Sequence, residues 1–159
     1  MEQLKQNSKR LILENDAISK INHWMYFGIE IDENTEDFSE ITPKDLRVII
    51  DLYKLVLKNK TTEDIVFWRG FSEESSNKLK NGEELKSTII SSITASEHIA
   101  SLFGVPWKVI VPKGTPCLYI SVLSELDNYI TVIDAEYEAL LAKGRFKMIS
   151  DMTCIFTPE

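Results

Sequence analysis

Asp134-Ala135-Glu136-Tyr137-Glu138-Ala139-Leu140-Leu141 sets two acids two residues apart, directly ahead of an apolar pair. Read as an extended strand, the segment sends Glu136 and Glu138 to one face and Tyr137 and Ala139 to the other. At about 3.3 Å of rise per residue, the two carboxylates sit roughly 6.6 Å apart along the backbone. Like charges on one face of a strand repel, so a purely structural sheet gains nothing from them. Cleavage of a sugar bond does use such a pair: one carboxylate steadies a cationic sugar carbon and the other handles the incoming group. The competing reading is a solvated edge strand of an acidic protein.

Outward from this segment, the second half of the chain reads as strands. Ile65-Val66-Phe67-Trp68-Arg69-Gly70 is β-branched and aromatic, and its glycine is expected to end the strand. A polar, helical stretch leads to the turn signal Asn81-Gly82-Glu83, and residues 87–94 are again β-prone. Ser96 is placed to cap a short helix carrying Glu97, His98, Ile99, Ala100 and Phe103. Trp107–Val111, Pro116–Ile120, Glu136–Leu141, Phe146–Ile149 and Thr153–Phe156 complete the strands.

Residues 1–60 instead read as helical. Leu11, Ile12, Ile18 and Ile21 start an amphipathic pattern, and the aromatic cluster His23-Trp24-Met25-Tyr26-Phe27 follows. Residues 31–40 are acidic, without periodicity, and read as a loop. Thr42-Pro43-Lys44-Asp45 is a helix start, with Thr as cap, Pro at the first helical position and an acid in the first turn. Leu46, Ile49, Ile50, Tyr53 and Leu57 follow at helical spacing. Helices first and then strands imply α+β: N-terminal helices followed by a mostly antiparallel two-sheet β core over residues 61–159, all in one domain of 159 residues.

Composition narrows the partners. The formal net charge is −7 and no basic tract of five or more residues occurs, which argues against a nucleic-acid backbone as partner. The charged N-terminus, MEQLKQNSKRLILENDAISK, is neither a leader nor a membrane span, so a cytoplasmic protein is expected. Cys117 and Cys154 lie far apart among apolar neighbours and read as buried free thiols. The sequon Asn59-Lys60-Thr61 reads as a chance match. His23 and His98 have no spacing that suits zinc, and no metal is expected. The glycines form neither a dinucleotide fingerprint nor a phosphate loop.

What remains is Arg69 at the end of one strand, hydroxyls on a second, and Glu136 and Glu138 on a third. Taken singly, Arg69 reads as half of an ion pair, and Ser92 and Thr94 as polar strand positions. Their order is more telling: a guanidinium fork suited to a diphosphate, then hydroxyls, then twin acids.

That order resembles the arginine–serine–glutamate clade of mono-ADP-ribosyltransferases, which includes cholera-like and iota-like toxins, vertebrate ecto-enzymes and enzymes of T-even-type phages. The resemblance covers roughly residues 40–157. Val66-Phe67-Trp68-Arg69-Gly70 is similar to the family's apolar–aromatic–Arg–Gly strand, whose Arg contacts the NAD phosphates while the next backbone holds the nicotinamide amide. Residues 90–103, with Ala100 and Phe103, resemble the serine-threonine-serine strand and its following helix. In this register Ser92 is the first serine, Ile93 stands where the family has threonine, and Thr94 is the last hydroxyl; a shift by one gives Ser91 the first role.

The resemblance implies NAD as co-substrate, bound through Arg69, Gly70, Ser92, Thr94, Phe103 and Glu138. Glu138 would stabilise the reacting ribose with Ser92 orienting it, and Glu136 would face an arginine of an acceptor protein. Residues 121–135 would present that acceptor, with Tyr129 as a contact, and Phe103 or Trp107 would pack on the nicotinamide. A phage or bacterial effector acting on host proteins is implied. An NAD glycohydrolase and a non-catalytic binding protein on the same scaffold remain the alternatives.

Overall fold

The computed structural model describes residues 1–27, 41–125 and 137–159. The expected loop at 31–40, Tyr129 and Glu136 lie outside these residues, as does most of the segment 121–135. Helix α1 (Glu2–Glu14) buries Leu4, Ser8, Leu11 and Ile12, one face of a 3.6-residue period. Asp16, at φ 51°, turns the chain into α2 (Ile18–Phe27). Helix α3 (Pro43–Lys58) begins as its residues dictate: the Thr42 hydroxyl accepts the Asp45 N–H at 3.1 Å, Pro43 occupies the first turn and Lys58 the last.

The apolar face of α3 differs from the expected one. Its buried stripe is Val48, Ile49, Leu52, Leu55 and Val56, whereas Ile50 and Leu57 are exposed. This helix carries apolar residues on more than one face, so spacing alone could not decide which face packs inward. Polar pins then fix the helices. Asn59 donates to Ser8 Oγ at 3.0 Å and to the Cys117 carbonyl at 2.9 Å, and the Tyr119 N–H also donates to Ser8 Oγ. Asn59 is therefore a buried structural amide. Lys20–Asp51 at 3.3 Å and His23–Asp45 at 2.5 Å tie α2 to α3.

Beyond α3 come β1 (Ile65–Phe71), α4 (Glu73–Lys80), β2 (Leu85–Ser87), β3 (Ser91–Thr94), α5 (Glu97–Phe103) and β4 (Val105–Val111). A short strand β5 (Cys117–Tyr119) and a 3-10 turn (Ile120–Glu125) follow, then β6 (Glu138–Leu141), β7 (Gly144–Ser150) and β8 (Thr153–Pro158). The β-prone run 87–94 is thus two strands. The described strands form one sheet in the order β2-β7-β8-β4-β1-β3-β6-β5. Strands β4 and β8 run parallel, and each other neighbouring pair runs antiparallel.

Where two sheets were expected, a single hydrogen-bonded order is seen. It narrows, however, to one register pair, Trp68↔Thr94, between β1 and β3. Strand β1 otherwise pairs with β4 along its full length, from Ile65↔Val111 to Phe71↔Val105. The seam between β1 and β3 is where Arg69 and Ser92 meet.

Strand β1 also runs through Gly70 to Phe71 instead of stopping at the glycine. Gly70 has a different purpose: a Cβ there would lie 2.2 Å from the Ala100 carbonyl oxygen and 2.8 Å from Gly104 N. Gly104 reciprocates, since its Cβ would meet the Phe71 carbonyl oxygen at 2.4 Å. The two glycines let the end of α5 lie directly on the end of β1.

Candidate active site

Alternation along β1 turns Phe67, Arg69 and Phe71 to the buried side. The Arg69 guanidinium lies 5.2 Å from the Phe71 ring and 5.8 Å from that of Phe146, aromatic faces that favour a cation. Its Nη1 donates to the Ser92 carbonyl oxygen at 2.5 Å, across the seam. The same charge is felt at Cys154: burial pushes that thiol up to about 12, and Arg69 pulls in the opposite direction. Arg69 is thus an interior cation at the junction of the two halves of the sheet.

Glu138 opens β6 directly opposite Thr94, and Ser92 lies opposite Leu140, two residues on and on the same face. Only 6% of Glu138 is exposed. Its Oε2 accepts from the Ser92 hydroxyl at 2.7 Å and from the Trp24 indole Nε1 at 3.0 Å. Its backbone N–H donates to Ser121 Oγ at 2.6 Å, which fixes where the strand begins. Two donors on one carboxylate oxygen offset the desolvation of a buried acid. Ser91 pairs with Leu141 on the opposite face, so the geometry selects Ser92 as the hydroxyl on the carboxylate.

The structure therefore links Arg69, Ser92 and Glu138 in one continuous chain. Thr94 is buried beside them, and its Oγ1 accepts the Ser96 N–H at 3.1 Å, starting the turn into α5. Phe103 is not part of the buried chain; the residue is 69% exposed at the end of α5. Trp107 is wholly buried with its indole donating to Ser76 Oγ at 2.9 Å, so it is a core residue with no face to offer a nicotinamide.

The same-face reading of Glu136 and Glu138 falls outside the described residues, which resume at Tyr137. This residue takes φ 49°, in the left-handed region. Strand β6 starts at Glu138. Trp24 and Ser121 went unrecognised in the sequence. Trp24 reads only as part of an aromatic cluster and Ser121 only as the start of the acceptor-presenting segment, neither as a partner of Glu138. Among the described residues no cluster of His, Cys, Asp and Glu could hold a metal ion, and no helix is long and apolar enough to cross a membrane.

No protein-family model matches the chain, and no curated protein does. Solved structures do match. C3stau2 from S. aureus, determined with NAD, aligns at TM-score 0.62 and 14% identity over 100% of this chain and 96% of that one. Plx2a, an ADP-ribosyltransferase toxin from Paenibacillus larvae, aligns at 0.54 and 13% identity over 99% of this chain and 87% of that one. BECa, an ADP-ribosylating toxin of a C. perfringens binary enterotoxin determined with NADH, aligns at 0.54 and 19% over 99% of this chain but 45% of that one. At such identities the likeness establishes the fold, and the fold is that of the ADP-ribosyltransferases.

Proposed function

We propose that this chain is an NAD-dependent mono-ADP-ribosyltransferase that modifies an arginine of a target protein and releases nicotinamide, as a phage or bacterial effector acting on host proteins. One observation carries the reading: Arg69, Ser92 and Glu138, distant in sequence, are joined by hydrogen bonds across the seam of a sheet with this fold. The residues suit the substrate. A buried guanidinium fork beside aromatic rings can clamp a diphosphate.

Rupture of the bond between nicotinamide and ribose develops positive charge on the ribose carbon. Glu138 supplies the opposing charge from a fixed position, since its carboxylate is held by donors that need no reorganisation. Ser92 orients that carboxylate. Glu136 pairs with the acceptor guanidinium and takes the proton its nitrogen loses as the new bond to ribose forms. Arg69 holds the diphosphate while the bond breaks.

Incubation with NAD and the arginine mimic agmatine tests the reading. Nicotinamide release with an ADP-ribosyl-agmatine conjugate is the expected result. Free ADP-ribose without conjugate would replace arginine by water as acceptor and make the chain a glycohydrolase. Intact NAD, with no saturable NAD binding and no labelled protein in a host lysate, would leave a non-catalytic scaffold.

A further inference from the structure

Trp24 belongs to the N-terminal helices, 114 residues before the carboxylate it touches. Its indole is almost fully buried, and its Nε1 donates to the same Glu138 oxygen that accepts from Ser92. An indole N–H has a single donor and no acceptor role, so this contact has only one direction. A tryptophan meant only to fill a core needs no carboxylate partner. Trp107 in the same chain meets that need with a serine hydroxyl instead.

The placement of Trp24 is also secured. Lys20, four residues earlier on α2, pairs with Asp51, and His23, its immediate neighbour, pairs with Asp45; both acids are on α3. These pairs set the height and rotation of α2 against α3, and the indole is carried to β6 with them. Ser92 approaches Glu138 from the neighbouring strand, and Trp24 approaches from a separate layer. A carboxylate held by one donor can swing about its terminal torsion, which is soft. A second donor from a separate element narrows that swing.

We infer that Trp24 is a positioning residue of the active site, its indole N–H locking the Glu138 carboxylate together with Ser92, so that the helical N-terminal part completes the catalytic machinery of the β core. This rests on the reading of Glu138 as the residue that stabilises the reacting ribose. Glu138 itself touches substrate; Trp24 acts through it.

The test has a spectroscopic and a kinetic arm. The chain has three tryptophans, so the ¹⁵N-indole spectrum is simple to assign. Glu138→Gln should shift the Trp24 indole resonance and leave that of Trp107 in place; an unmoved Trp24 resonance would overturn the contact. For kinetics, Trp24→Phe keeps a ring and loses the donor, and 3-benzothienylalanine at position 24 keeps the whole shape without the N–H. Both should lower kcat for nicotinamide release by about 10- to 100-fold, with KM for NAD changed less than about threefold, the span of one lost hydrogen bond to a charged group. An unchanged kcat in the isosteric variant would overturn the positioning role. Loss of activity in Trp24→Phe alone, with the isostere fully active, would also overturn it, since packing would then be the cause. Absence of nicotinamide release from the parent protein would sink the transferase reading and the catalytic part of this one, while the indole resonance would still decide the contact.

Discussion

Ser92 and Glu138 meet across a diagonal of the β3–β6 ladder, hydroxyl to carboxylate at 2.7 Å, although the register sets each opposite a different residue. The diagonal matters because the side chains two positions apart on neighbouring strands share a face and can reach each other. The hydroxyl can therefore brace the carboxylate without standing in front of it. On the opposite face of β3, Ser91 is buried against different neighbours.

The two serines consequently separate cleanly by mutation. Ser92→Ala should lower kcat for nicotinamide release by about tenfold or more, the effect of removing one hydrogen bond to a charged group. Ser91→Ala should retain parental kcat. Steady-state kinetics on both variants checks this, and the reverse ranking would shift the register of the hydroxyl strand by one.

Glu138→Gln should abolish nicotinamide release, with a loss of at least about 100-fold, because the amide cannot oppose a developing positive charge. Its fold should survive. The amide oxygen can still accept from Ser92 and Trp24, so the melting temperature should move by no more than a few degrees even though position 138 is buried rather than in an open cleft. Calorimetry alongside the NAD assay separates the two effects.

Local chemistry made much of this architecture legible. The Thr42-Pro43 start of α3, the Ser96 cap of α5 and the β-branched run of β1 all declare themselves over a few residues. So did the order of Arg69, Ser92 and Glu138. Tertiary decisions were less visible. The inward face of α3 depends on what it packs against, and Gly70 reads as a strand end until α5 is seen lying on it. Tyr137 takes a left-handed backbone angle just before β6 that no side-chain pattern encodes. Trp24 reaches the site only because α2 folds back over the sheet, a contact between residues too distant in the chain for any motif.

Gly70→Ala should destabilise the protein. The added methyl would meet backbone atoms of Ala100 and Gly104, which cannot rotate away as a flexible side chain could. Overpacking of this kind costs about 1–3 kcal/mol, a fall of about 3–10 °C in melting temperature for a chain of this size. A variant that melts with the parent would show that α5 can lift from β1 at little cost.

The buried thiols predict an alkaline weakness. Burial raises Cys154 from the ordinary 9.0 to about 12, and it drives Cys117 upward as well. Below pH 9 both thiols are protonated in folded and unfolded chains alike, and no stability depends on pH through them. Above it the unfolded chain releases protons that the folded one retains, so stability falls as pH rises from 9 towards 12. Denaturation midpoints measured from pH 8 to 11 should decline, and Cys117→Ala/Cys154→Ala should flatten that decline. At pH 8 thiol reagents should label the native protein only at its rate of opening.

Glu136 provides the sharpest test of acceptor choice. It stands two residues before Glu138 in the sequence and lies outside the described residues. The proposed function divides the labour: Glu138 would act on the ribose, and Glu136 on whatever attacks it. Glu136→Gln removes the base and the bidentate partner for guanidinium while leaving the Arg69–Ser92–Glu138 chain intact. ADP-ribosyl-agmatine formation should therefore fall by about 100-fold or more, in line with the loss of a general base, while release of nicotinamide to water persists within a fewfold of the parent. Both products are read from one chromatogram. Equal loss of the two would place Glu136 in the bond-breaking step itself and remove the basis for arginine as acceptor.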